Sequence, residues 1–128
     1  MKKIAVLCVD DEKIILDSLK IQLENNFKNK YLFEYAENGE EALELVEYFL
    51  SEQVDILLVI SDYQMPGMKG DEFAKRLKSK LSGINIIMLT GQIPHDVKEH
   101  LIEKNIILNV IAKPWDEKEL INLINSLE

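Results

Sequence analysis

Four apolar runs in this chain each end on residues able to handle a phosphoryl group: Asp10 and Asp11 after IAVLCV, Asp62 after ILLVIS, Thr90 after IIML and Lys113 after VIA. Three carboxylates brought together repel one another and favour a hard divalent cation with oxygen ligands, for which Mg2+ is the natural choice. A lysine and a hydroxyl beside them suit an anion. A carboxylate is also a competent nucleophile toward phosphorus, forming an aspartyl phosphate. Asp62, at a strand end against an irregular loop, is the candidate for that role.

The elements that must position these residues follow from the apolar spacing. Residues 3 to 9 read as a buried strand, and Glu12 to about Asn26 as a helix with Ile15, Leu19 and Leu23 on one face. Residues 31 to 36 suit a second strand. After Asn38-Gly39, the residues Ala42, Leu43, Val46, Phe49 and Leu50 mark a second helix. Residues 54 to 61 form a third strand, followed by a proline- and glycine-rich loop and a helix carrying Phe73, Leu77 and Leu81. Residues 85 to 90 make a fourth strand, Pro94 opens a helix to about Asn105, residues 107 to 112 make a fifth strand, and Asp116 to Leu127 a final helix. Strands alternating with helices predict an α/β fold, a parallel sheet covered on both faces with right-handed crossovers. In such a sheet the carboxyl ends of the strands share one edge, where ligands bind.

Each residue also has a plainer reading. Adjacent aspartates commonly cap a helix, whose N-terminus favours acidic groups, while Asp62, Thr90-Gly91 and Lys113-Pro114 could each be ordinary turn residues. Their recurrence at successive strand ends is what favours one shared site.

Composition narrows the classes. The 128 residues suit one domain, residues 1–128, and 47% apolar with 30% charged residues is ordinary for a globular protein. No apolar run approaches the roughly 20 residues of a membrane span. The opening Met1-Lys2-Lys3 is too soon followed by Asp10 for a secretory signal, so a cytoplasmic location without membrane attachment is expected. A formal charge of −8 argues against direct nucleic-acid binding. The single cysteine, Cys8, excludes an internal disulfide and is expected to be buried. His95 and His100, five apart, do not make a metal pair and are expected on the surface.

Five motifs in order resemble the receiver domain of two-component response regulators, in the CheY-like family: Cys8-Val9-Asp10-Asp11-Glu12, Asn38-Gly39-Glu40-Glu41-Ala42-Leu43, Ser61-Asp62-Tyr63-Gln64-Met65-Pro66-Gly67-Met68-Lys69-Gly70, Met88-Leu89-Thr90-Gly91 and Ala112-Lys113-Pro114-Trp115. The resemblance covers essentially the whole chain. It implies a doubly wound, flavodoxin-like fold with five parallel strands in the order 2-1-3-4-5. It also implies that Asp62 accepts a phosphoryl group from the phosphohistidine of a sensor histidine kinase or phosphotransfer protein. Asp11 and Asp62 would ligate Mg2+ through their side chains, Gln64 through its main-chain carbonyl and Asp10 through a bound water. Thr90 and Lys113 would meet phosphoryl oxygens, and Lys113-Pro114 would be a cis peptide. Phosphorylation would change a surface read by a downstream effector domain or protein, or by a second copy in a homodimer. No separate substrate turnover is implied, so the chain is not expected to be an enzyme in that sense.

The chain departs from the family pattern in places. The aromatic residue that commonly lies three positions before the lysine is Val110 here, which leaves any relay to Thr90 and the segment after it. The spacing from Asp55 to Asp62 is about two residues longer than the commonest pattern, read as a longer strand entry and not a changed site. Gln64 and Gln92 occupy positions whose side chains bear on water access in the family. Trp115 is expected to pack against the final helix. Two other functions stand beside the receiver reading: a receiver-like interaction module independent of phosphorylation, and, more remotely, an aspartyl-phosphate phosphohydrolase, for which the chain lacks a substrate cap and a second acid/base.

Overall fold

The computed structural model describes residues 2–128. Five strands alternate with five helices: β1 (Ile4–Val9), α1 (Lys13–Asn26), β2 (Leu32–Ala36), α2 (Gly39–Ser51), β3 (Asp55–Ser61), α3 (Gly70–Lys80), β4 (Ile86–Thr90), α4 (His95–Glu103), β5 (Asn109–Ala112) and α5 (Glu117–Ser126). All strand pairings are parallel and the order is β2-β1-β3-β4-β5. The fold implied by the resemblance is the fold observed.

Side chains alternate across the sheet. Leu7, Val59, Ile86 and Met88 face one layer, built from Ala42 and Val46 of α2, Phe73 and Leu77 of α3 and Leu101 of α4. Val6, Cys8, Leu58, Ile60 and Leu89 face the other, built from Leu16, Leu19 and Leu23 of α1 and Leu120 and Ile124 of α5. Burial on both faces explains why the central strands read as continuous apolar runs without polar alternation.

The expected boundaries shift by one or two residues. Strand β5 begins at Asn109 because Ile106 and Ile107 still bond back to Leu101 of α4, and the Leu108 amide bonds to Ile86. The extra length expected as a longer entry to β3 lies, for one residue, inside the strand instead, because β3 already starts at Asp55. Ala5 pairs with Ile56 but Val6 with Leu58, so Leu57 is one extra residue, a β-bulge. Leu57 consequently packs on the same side of the sheet as Leu58. Cys8 is fully buried, which pushes its thiol well above the ordinary range, with the Asp10 carboxylate adding to the effect. His95 and His100 are exposed, His95 lying 2.9 Å from Glu99. No described helix is long and apolar enough to cross a membrane.

Candidate functional site at the strand ends

The chain reaches the edge of the sheet in register. The Asp62 amide donates to Val9 O at 3.0 Å and the Asp10 amide to Ala36 O at 3.0 Å, setting the two aspartates side by side at the ends of β3 and β1. Asp10 is 2% exposed and Asp62 4%, whereas Asp11 faces solvent. Oxygens of Asp10, Asp11 and Asp62 lie within 4.8 Å of one another. This all-oxygen set, closed on the protein side and open through Asp11, matches what a hard divalent cation requires.

Lys113 enters the cluster from the end of β5. Its ammonium donates to Asp10 Oδ2 at 2.6 Å, to Asp62 Oδ2 at 3.2 Å and to Glu12 Oε2 at 3.3 Å. Bare carboxylate repulsion is therefore not the state of this site, because the lysine already sits between its two buried members. Burial works against the charged ammonium, but the bonds to Asp10 and the nearby Asp62 outweigh it and hold the lysine above its usual range. Burial likewise raises the Asp10 carboxyl, with the Asp62 charge adding to it, against the opposing effect of Lys113 and the Glu12 amide. The Lys113-Pro114 peptide is cis, as the resemblance implies.

The capping reading of Asp10 does not hold as such, since Glu12 is the N-cap of α1 and no side chain caps that helix; Asp10 instead braces the turn before it. Its Oδ1 accepts from the Glu12 amide at 2.9 Å just ahead of α1, while Oδ2 takes Lys113, so one carboxylate serves both helix entry and site. Asp62 is steadied in a similar way: Oδ1 accepts from the Gln64 amide at 3.3 Å. Gln64 is exposed, and its side chain accepts from Lys69 at 3.4 Å. Thr90 is at the same edge, at the end of β4, but its hydroxyl is engaged with the following loop. It donates to Gln92 O at 3.2 Å and accepts from the Gln92 amide at 3.4 Å. Val110 is half-buried among the residues that pack under α3 and α4, where no ring is available to turn. Trp115 packs into the α1 and α5 layer, and its indole N–H reaches across to Gln22 of α1 at 2.7 Å.

Two contributors were not singled out from the sequence. Glu12 stands in the first motif and at a helix start with no role of its own in the sequence reading, yet it reaches the site lysine; its position directly after the two aspartates is the signal. Gly70 reads from the sequence as a loop marker, yet it permits a close backbone approach to Asp62. A Cβ there would lie 2.5 Å from Asp62 O and 2.6 Å from Tyr63 Cα, while the Gly70 amide donates to Tyr63 O at 2.8 Å. The glycine lets the start of α3 close onto the phosphoacceptor candidate.

The comparisons with known proteins point to one family. Residues 6–125 match the model of the response regulator receiver domain. The chain is 29% identical over 95% of its length to the uncharacterized transcriptional regulatory protein YesN of Bacillus subtilis, of which it spans 32%. It is 32% identical over 99% of its length to histidine kinase P4 of Formosa agariphila, spanning 9% of that protein. The chain thus corresponds to a minor part of both of these curated relatives. Among solved structures, the signal receiver domain of an HD domain-containing protein from Pseudomonas fluorescens Pf-5 superposes with a TM-score of 0.83 at 28% identity, covering 98% of this chain and 94% of that one. The family match takes in every strand end at which the carboxylates, the threonine and the lysine lie, and the chain belongs to the response regulator receiver domains, signalling modules of two-component systems.

Proposed function

We propose that the chain accepts a phosphoryl group on Asp62 from the phosphohistidine of a sensor histidine kinase or phosphotransfer protein, and that a downstream effector reads the modified state. The observation that carries this reading is the meeting of Asp10, Asp11 and Asp62 within 4.8 Å with the Lys113 ammonium among them. The donor set fits Mg2+, which Asp11, Asp62 and the Gln64 main-chain carbonyl would hold, with Asp10 joining through a water. When bound, Mg2+ supplies neutralisation of charge on the phosphoryl oxygens.

The chain's own residues account for the remainder. A carboxylate oxygen of Asp62 bonds to phosphorus as the phosphorus–nitrogen bond of the donor breaks, and the imidazole leaves with the bonding pair and takes a proton from solvent. Asp62 is held for this by the Gln64 amide on one oxygen and by its own strand pairing to Val9. Lys113, 3.2 Å from the other oxygen, is poised to exchange that contact for a phosphoryl oxygen. Thr90 must give up Gln92 to do the same, which loosens the segment leading to α4. With Val110 in place of an aromatic ring, that release is the route by which the added charge reaches the surface. Hydrolysis returns Asp62 to its starting state, so the domain turns over its own modification and no separate substrate.

Intact-mass analysis after incubation with phosphoramidate and Mg2+ tests the proposal. One phosphoryl adduct on the parent and none on Asp62→Asn is the expected result. No adduct on either, with melting indifferent to millimolar Mg2+, would make a phosphorylation-independent interaction module the better reading.

A further inference from the structure

We infer that Asn85 is a positioning residue for Asp62, acting through the β3 bulge; the inference rests on the phosphoacceptor reading only for its consequence, not for its geometry. The register makes the dependence explicit. Before the bulge Ala5 faces Ile56, and after it Val9 faces Ser61, which sets Asp62 level with Asp10. Were the first register to continue to the strand end, Val9 would face Ile60, and Asp62 would overhang by one residue and point to the opposite side of the sheet.

The hydrophobic pattern does little to prevent that slip. Leu57, Leu58, Val59 and Ile60 are apolar whichever face they take, so over these four residues the slip exchanges apolar for apolar in both layers, and only Ser61 and Asp62 at the strand end are polar groups that would change sides. A specific bond must hold the bulge in place. Asn85, just ahead of β4, supplies it from the side away from β1. Its side-chain amide donates to Leu57 O at 3.1 Å and its main-chain carbonyl accepts from the Val59 amide at 2.9 Å, bracketing Leu58. Regular β3–β4 pairing begins only beyond this point, at Val59 and Ile86.

The test uses three variants of the whole chain: Asn85→Ala, deletion of Leu57, and both together. Deleting Leu57 removes the extra residue, so Val6 meets Leu58 without a bulge and the clamp has nothing to hold. In Asn85→Ala the balance between registers shifts by about five-fold, the size of one net hydrogen bond. Amide cross-peaks of Val9, Ser61 and Asp62 in a 15N spectrum are then expected to broaden or double. The Mg2+ response of Trp115 fluorescence should weaken in parallel. Both changes should vanish in the double variant, a rescue that simple loss of a stabilising bond would not give. Parental cross-peaks in Asn85→Ala, or changes that persist equally in the double variant, would overturn the inference. Because the cross-peaks report register without metal or phosphoryl donor, an absent Mg2+ response in the parent would count against the functional reading alone.

Discussion

Replacing Lys113 with methionine keeps the apolar stem and removes the charge. The ammonium is 2.6 Å from Asp10 and 3.2 Å from Asp62, with 12% of its side chain exposed. At an effective dielectric of about 20, a unit pair near 3 Å attracts by about 5 kcal/mol before desolvation. Losing one partner of a buried pair costs about 3 to 5 kcal/mol, because the remaining charge is left unmatched. Here two carboxylates are left, but Asp11 opens the cluster to water, which favours the lower end, about 3 kcal/mol. For a domain of this size each kcal/mol moves the melting temperature by about 4 °C, so Lys113→Met should melt about 12 °C below the parent in EDTA. Divalent cation should restore more to the variant than it adds to the parent, since it replaces the missing positive charge. Calorimetric melts of both proteins, with EDTA and with millimolar Mg2+, make the comparison. A variant that melts within about 2 °C of the parent in EDTA would refute the view that Lys113 neutralises this site.

Other outcomes follow from individual contacts. Gly70→Ala should cost about 2 kcal/mol, as overpacking against rigid backbone does, and should slow phosphoryl uptake because the clash falls on the Asp62 carbonyl; unchanged uptake would separate Gly70 from the site. Burial, reinforced by nearby carboxylates, raises the phenols of Tyr31, Tyr35 and Tyr63 above their ordinary value of 10.0. The folded state thus retains protons that the unfolded chain releases, so stability should fall as pH rises above about 10. Urea melts between pH 9 and 11 with absorbance at 295 nm check the sign, and constant stability across that range would contradict it. Removing both long amides, in the Gln64→Ala, Gln92→Ala double variant, should change the decay rate of the aspartyl phosphate; equal decay would show that neither side chain controls water access.

Much of this was legible in the sequence for physical reasons. A parallel sheet buried on both faces writes its strands as apolar runs, and its topology brings the strand ends to one edge. Asp10, Asp11, Asp62, Thr90 and Lys113 can therefore be grouped from the sequence alone. The bulge at Leu57 was not legible, because a residue inserted among leucines, valine and isoleucines leaves no break in the pattern. Nor was the present engagement of the Thr90 hydroxyl with Gln92, or the three-way bonding of Lys113, since rotamers and partners depend on loops whose residue types fit several turns. Gly70 shows the same limit: its type marks a turn, but only the approach of α3 to Asp62 gives the reason for it.

The most direct measurement of the central claim, that these strand ends form one phosphoacceptor site with Asp62 as the group modified, is to locate the modification. Borohydride reduces an aspartyl phosphate to homoserine, and peptide mass mapping after treatment with phosphoramidate should find homoserine at position 62 only, and only when Mg2+ is present. Homoserine at position 10 or 11, or labelling that proceeds equally in EDTA, would contradict the roles assigned to these carboxylates.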